Sequence, residues 1–168
     1  ATLLRGHADI RFIVFGQGSR WEWMRAEVQN RELPNLHLLG RYPVETMPGF
    51  MQKASALLVT LADQPIFAAT VPSKVQAYLA AGKPILACLN GEGARLVEEA
   101  NAGLISRAEN AGELAESVLH LHQMTHVERE KLGGNGRRYF KEHFDHDLLT
   151  DRLIEHLYSV SESCGSCK

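Results

Sequence analysis

The sequence predicts an α/β fold, a doubly wound parallel sheet with extra helices at its C-terminal end. Three observations carry that expectation. Short apolar runs at residues 11–15, 36–39, 55–61, 85–89 and 103–106 alternate with stretches of helical periodicity. All but the last of these runs lead into turns rich in Gly, Pro or Asn, where an open parallel sheet places its ligands. The run Ile85–Leu89 is apolar throughout, as a strand covered on both faces would be.

The 168 residues suffice for one filled core, so a single domain is expected. Against 18 Lys and Arg stand 20 Asp and Glu, a net charge of −2 that gives no overall field for nucleic acid. No apolar run approaches the roughly 20 residues that span a bilayer, and no targeting pattern is visible. Three cysteines, Cys88, Cys164 and Cys167, offer no disulfide framework across the fold, which points to a reducing cytoplasm.

Taken in order, Ala1–His7 read as the end of a helix begun upstream, because no start signal or strand precedes them. Arg11–Phe15 form a strand by their aromatic and β-branched content, Gly16-Gln17-Gly18-Ser19 a tight turn, and Ser19–Glu32 a helix. Pro34-Asn35 end that unit. Leu36–Leu39 are a second strand, Gly40-Arg41-Tyr42-Pro43 a loop and Thr46–Lys53 a short helix. After a third strand at Ser55–Leu61, the connector Ala62–Thr70 is long and carries the apolar pair Ile66 and Phe67, a combination that suits a functional loop.

Residues 71–93, V-P-S-K-V-Q-A-Y-L-A-A-G-K-P-I-L-A-C-L-N-G-E-G, hold a helix start, a helix, a buried strand and a glycine turn. Pro72 suits a first helical position, since its missing N–H would be unpaired there. Ser73 and Lys74 set a hydroxyl and an ammonium beside the free N–H groups of the helix, where the dipole favours an anion. Gly82 closes the helix and Lys83-Pro84 cannot extend it. Asn90-Gly91-Glu92-Gly93 open the next helix, so two helix N-termini can face one anionic ligand. Beyond it come a helix with a polar face at Gly91–Asn101, a last strand at Gly103–Ser106, and a helix at Ala111–His122. Helical periodicity continues at Val127–Phe144 and Leu148–Val160, the latter with an apolar stripe of Leu148, Leu149, Leu153, Ile154 and Leu157. Ser161–Lys168 read as a disordered tail.

The run P-S-K-V-Q-A-Y-L-A-A-G-K-P-I, with D-Q-P-I-F before it and N-G-E-G after it, resembles the C-terminal domain of GT-B glycosyltransferases of the large retaining group 1 family. Within that family it looks most like bacterial transferases for nucleotide-linked deoxy-aminosugars such as N-acetyl-fucosamine. F-G-Q-G is similar to the family's glycine turn, L-G-R-Y to the loop beside the base, and R-R-Y-F-K-E-H-F to its late helix. The resemblance implies a Rossmann-like half of a GT-B fold. Residues 1–160 would be a donor-binding domain lacking its first strand and phosphate-gripping loop, with the acceptor domain elsewhere in a longer parent chain and this fragment inactive alone. It implies a nucleotide-diphosphate sugar as donor, UDP-linked, and a role in bacterial surface polysaccharide or lipopolysaccharide assembly in the cytoplasm, peripheral to the inner membrane. No metal or other cofactor and no nucleic acid is expected. The donor-binding residues would be Gly16, Gly18, Arg41, Pro72, Ser73, Lys74, Gln76, Gly91, Glu92 and Gly93, with Lys74 stabilising the leaving diphosphate and no catalytic base assigned. One departure stands out. Where the family has two glutamates separated by seven residues, the later one binding ribose, this chain has Ala69 and Ala77, which leaves Gln76 as the nearest amide for a ribose hydroxyl.

Each candidate also has a plainer reading. Ser73 and Lys74 suit an ordinary helix start, and Gly91-Glu92-Gly93 a strand-to-helix turn with an acid at a helix N-terminus. Gly16-Gln17-Gly18 lacks the third glycine of a dinucleotide fingerprint, since position 21 is Trp21. His122 with His126 and His143 with His146 have one-face helical spacing but no third ligand, and read as surface residues. Cys164 and Cys167 have redox spacing without the strand and helix such a motif needs. Trp21 and Trp23 fit core packing and partial exposure better than a membrane patch. Two further functions stay open at this point, a nucleotide-sugar binding module without transfer activity and a GT-B epimerase.

Overall fold

The computed structural model describes the backbone of residues 1–165 and the side chains of residues 1–160. A 3-10 turn at Thr2–Leu4 opens the chain in place of the expected helix end. The elements then run β1 (Phe12–Phe15), α1 (Trp21–Asn30), β2 (Leu36–Gly40), α2 (Met47–Lys53), β3 (Leu57–Thr60), α3 (Pro65–Ala68), α4 (Ser73–Ala81), β4 (Ile85–Cys88), α5 (Glu92–Glu99), β5 (Gly103–Ser106), α6 (Ala111–Gln123), α7 (His126–His143) and α8 (His146–Gly165). All strand pairs are parallel, as expected. They form two sheets, β1-β2 and β3-β4-β5, rather than one.

The strand β4 shows why an unbroken apolar run marks the centre of such a sheet. All four of its residues are buried. Ile85 and Ala87 join Val75 and Leu79 of α4 and Leu96 and Val97 of α5 in one core, while Leu86 joins Val118 and Leu121 of α6 and Leu4 and Ile10 of the N-terminal segment in the other. The alternation of side chains across a strand therefore feeds both layers from one element. Burying a leucine such as Leu79 completely stabilises the fold by about 1.5–3 kcal/mol.

Helix α7 lies on α4 because its contact face has almost no side chain. A Cβ at Gly133 would stand 2.2 Å from the Gly82 carbonyl oxygen, and Gly82 itself ends α4 in the left-handed conformation. The N-terminus of α7 carries a full capping box, Thr125 with Glu128. Helix α8 continues through Gly165, into the segment expected as a tail, and residues 166–168 lie outside the described residues. So do the side chains of the Cys164 and Cys167 pair. Of the apolar stripe on α8, Leu149, Leu153, Ile154 and Leu157 are exposed. Trp21 is half-buried and Trp23 exposed, with the Arg20 guanidinium 5.7 Å from the Trp23 ring centre.

Candidate functional site

Every sequence-predicted site residue sits in a loop or first helical turn beyond the carboxyl end of a strand. Gly16 and Gly18 follow β1, Arg41 follows β2, Pro72, Ser73, Lys74 and Gln76 follow β3 at the start of α4, and Gly91, Glu92 and Gly93 follow β4 at the start of α5. A parallel sheet has all these ends on one side, which is why residues far apart in sequence line one edge.

The two helix N-termini are in contact. A Cβ at Gly93 would lie 2.9 Å from Pro72 Cδ, so the first turn of α5 rests directly on the residue that leads into α4. Pro72 is extended, with ψ at 134°, and caps α4 from outside, so it is not the first helical residue the sequence suggested. Its carbonyl accepts from Val75 N at 2.9 Å, and no side chain caps the helix. Ser73 and Lys74 are exposed, and among the described residues neither the hydroxyl nor the ammonium has a hydrogen bond or ion pair. The α4 N-terminus is thus an open donor site with a cation beside it.

The α5 N-terminus is more occupied. Gly91 has φ at 74° and ψ at −143°, and a Cβ there would stand 2.0 Å from the Ala68 carbonyl oxygen. The connector after β3, which contains the short helix α3 instead of being an open loop, is therefore pressed against the glycine turn. Glu92 is tied to Arg95, with its Oε2 accepting from Nη2 at 2.5 Å, and Arg95 also reaches Glu99 at 2.5 Å. The Arg95 hydrogen bond, then its charge, holds the Glu92 carboxyl below the usual range. A ligand hydroxyl at Glu92 would have to share this carboxylate with Arg95.

On the β1-β2 side, Gly16 N donates to Gly40 O at 2.6 Å, and both glycines have positive φ. This brings the G-Q-G turn against the start of the G-R-Y loop. Tyr42 packs between Phe15 (5.6 Å between ring centres) and Phe50 (5.1 Å) yet remains 45% exposed, and Arg41 is exposed beside it. Ala69 and Ala77 are both exposed, and Gln76 is half-buried without a side-chain partner among the described residues.

Sequence reasoning missed one connection. Asn90 donates to Asp63 Oδ1 at 2.9 Å and accepts from Ala108 N at 3.0 Å, joining the loops after β3, β4 and β5. A cleft of about 400 Å3 opens there, lined by Asp63, Asn90, Arg107, Glu109 and Asn110. The side-chain amide at a strand end was the available signal, since it can bond in two directions. Arg107 in turn donates through its backbone N to Glu113 at 2.9 Å, and its guanidinium hydrogen bond lowers the Glu113 carboxyl.

The histidines form no metal site. His122 pairs with Asp9 at 2.8 Å and His126 with Glu130 at 3.3 Å, His143 stacks on Tyr139, and no group of three or more potential ligands occurs among the described residues. Among those residues, no helix is long and apolar enough to cross a membrane.

Comparison with known proteins gives this geometry a context. The family profile described as "Glycosyl transferases group 1" matches residues 1–124. An uncharacterized glycosyltransferase of Methanocaldococcus jannaschii is 27% identical over 133 residues, covering 79% of this chain and 36% of the relative, so the chain spans about a third of that protein. Among solved structures, Anabaena HepE in complex with UDP superposes with a TM-score of 0.80 at 17% identity, over 94% of this chain and 43% of that one. Staphylococcus aureus TarM, in a complex that includes UDP, gives 0.76 at 15% identity over 92% of this chain and 30% of that one.

Proposed function

We propose, from the premise that this chain belongs to the glycosyl transferases group 1 family and has the fold of a GT-B C-terminal domain, that it is the donor-binding domain of a transferase using a nucleotide-diphosphate sugar. The open N-terminus of α4, with the unpaired Ser73 and Lys74, is the observation that carries the reading. A diphosphate there accepts hydrogen bonds from backbone N–H groups and from the Ser73 hydroxyl, and Lys74 neutralises the charge that grows on the leaving nucleotide as the glycosidic bond breaks. Such stabilisation acts most strongly when the charge develops. Gly93, packed on Pro72, lets the α5 N-terminus approach the same diphosphate. Gly16, Gly18 and Arg41 border the nucleoside, and Gln76 offers the ribose an amide.

UDP is the favoured nucleotide, supported by the UDP complexes of the structural neighbours HepE and TarM. The acceptor is held by a further domain of a longer parent, and the role is bacterial surface polysaccharide assembly on the cytoplasmic side of the inner membrane, with a deoxy-aminosugar such as N-acetyl-fucosamine as the transferred group. No metal takes part in this scheme, because Lys74 and the helix dipoles supply the positive charge. Ala69 and Ala77 favour one alternative, a module that binds a nucleotide sugar and transfers nothing, since neither methyl group can bond a sugar or ribose hydroxyl.

Calorimetric titration of the natural full-length chain with UDP and UMP tests the reading. UDP should bind at least about tenfold tighter than UMP, and Lys74→Ala should weaken UDP roughly ten- to a hundredfold while leaving UMP nearly unchanged. Equal UDP affinity in the wild type and Lys74→Ala contradicts it. Sugar transfer by the full-length chain separates the transferase from the silent module.

A further inference from the structure

The two sheets end in free edges that face each other. Phe12 N donates to Asn35 O at 2.7 Å and Gly16 N to Gly40 O at 2.6 Å, so the even-numbered amides of β1 point toward β2, and those of Ile13 and Phe15 point away. Leu57 N donates to Pro84 O at 2.9 Å and Leu61 N to Cys88 O at 3.1 Å, so the amides of Leu58 and Thr60 point away from β4. Phe12 and Ala56, at the starts of these two edges, pack against one cluster on the α6 face. On the opposite face α2 touches α4, and Gln52 Nε2 donates to Ala81 O at 3.0 Å. Helices thus bridge β1 and β3 on both faces while no strand among the described residues joins them. Ile13 is 54% exposed and Leu58 37%, in sheets of the all-parallel kind whose faces are ordinarily covered.

Handedness fixes the order. Helices α4 and α5 connect β3 to β4 and β4 to β5 on one face, and α2, which leads from β2 to β3, touches α4 there. Right-handed crossovers on one face all step in one direction, so β2, β3, β4 and β5 follow each other that way with β1 between β2 and β3. The step from β1 to β2 runs the opposite way. The slot between β1 and β3 is therefore where the strand order reverses.

We infer that this slot takes one further parallel strand, an apolar segment of the same polypeptide lying ahead of residue 1 in a longer chain. Its source follows from the placement of the N-terminal segment. Leu4 and Ile10 belong to the same cluster as Phe12 and Ala56, and Asn35 Nδ2 holds the Ala1 carbonyl at 3.0 Å, so the chain entering β1 already lies on the α6 face. A strand in the slot, a crossover on that face and residues 1–10 leading into β1 make one right-handed unit. The lengths of the M. jannaschii relative and of HepE, of which this chain covers 36% and 43%, leave room for such a segment. The strand pairs with the amides of Ile13, Phe15, Leu58 and Thr60, and the crossover covers Leu58. The inference stands on the backbone and is independent of which ligand binds.

Amide hydrogen exchange, compared between the 168-residue chain and the natural full-length chain, tests it. Amides of Ile13, Phe15, Leu58 and Thr60 should exchange at least about a hundredfold more slowly in the full-length chain, whereas those of Val14 and Val59 are protected in both. Equally fast exchange of the four in both chains overturns the inference. Protection of the four in the 168-residue chain, together with a dimer in sedimentation, also overturns it, because a second copy then fills the slot.

Discussion

Replacing Gly91 by alanine tests how the glycine turn is built. With φ at 74° and ψ at −143°, the backbone lies where side chains other than hydrogen are rarely tolerated, a strain of about 1–3 kcal/mol. The new Cβ would also stand 2.0 Å from the Ala68 oxygen and 2.5 Å from its carbon, so about 1 Å must open between α3 and the start of α5 before contact is even tight. In a chain of this size each kcal/mol shifts Tm by about 2–4 °C, giving an expected fall of about 2–12 °C in a calorimetric scan. Because Gly93 of the same turn rests on Pro72, the opening should spread to the start of α4, and UDP affinity should fall with stability. An alanine variant with wild-type Tm and wild-type UDP affinity would refute the packing of the connector on the turn.

Two further outcomes concern the frame around the site. Gly134→Ala on the exposed face of α7, where a Cβ meets nothing within 4 Å, should raise Tm by about 1–4 °C through lower backbone entropy in the unfolded chain, while Gly133→Ala next to it should lower Tm. The Glu128 carboxyl, held below its ordinary value of 4.5 by hydrogen bonds from the Thr125 backbone and hydroxyl, contributes stability above that value and loses it as pH falls through the lowered one. Thr125→Ala should therefore lower Tm by a few degrees near neutral pH, and the gap to wild type should narrow in unfolding scans below 4.5.

The parts of the fold visible in the sequence are those where one residue decides one local choice. Gly82 fixes the end of α4, the apolar run at Ile85 fixes a strand buried on both faces, and the glycine turn at Gly91 fixes a close approach. The parts that stayed hidden depend on distant partners. The split of the sheet between β1 and β3 follows from pairing across the fold, which no local pattern encodes. Pro72 looked like a first helical residue because its missing N–H suits either position, and only its extended ψ separates the two. Asn90 joining Asp63 to Ala108 spans three loops and has no spacing to betray it. Glu92 shows the converse case. Its place at a helix start was legible, but its engagement by Arg95 three residues on was not weighed against binding a ligand.

The central claim is that the open N-terminus of α4 holds a nucleotide diphosphate. A crystal structure of the natural full-length chain with UDP measures this directly. The account predicts a β-phosphate oxygen about 2.7–3.2 Å from both Lys74 Nζ and a backbone N–H of the first turn of α4. A diphosphate bound away from residues 72–76, with Lys74 still facing solvent, would contradict it.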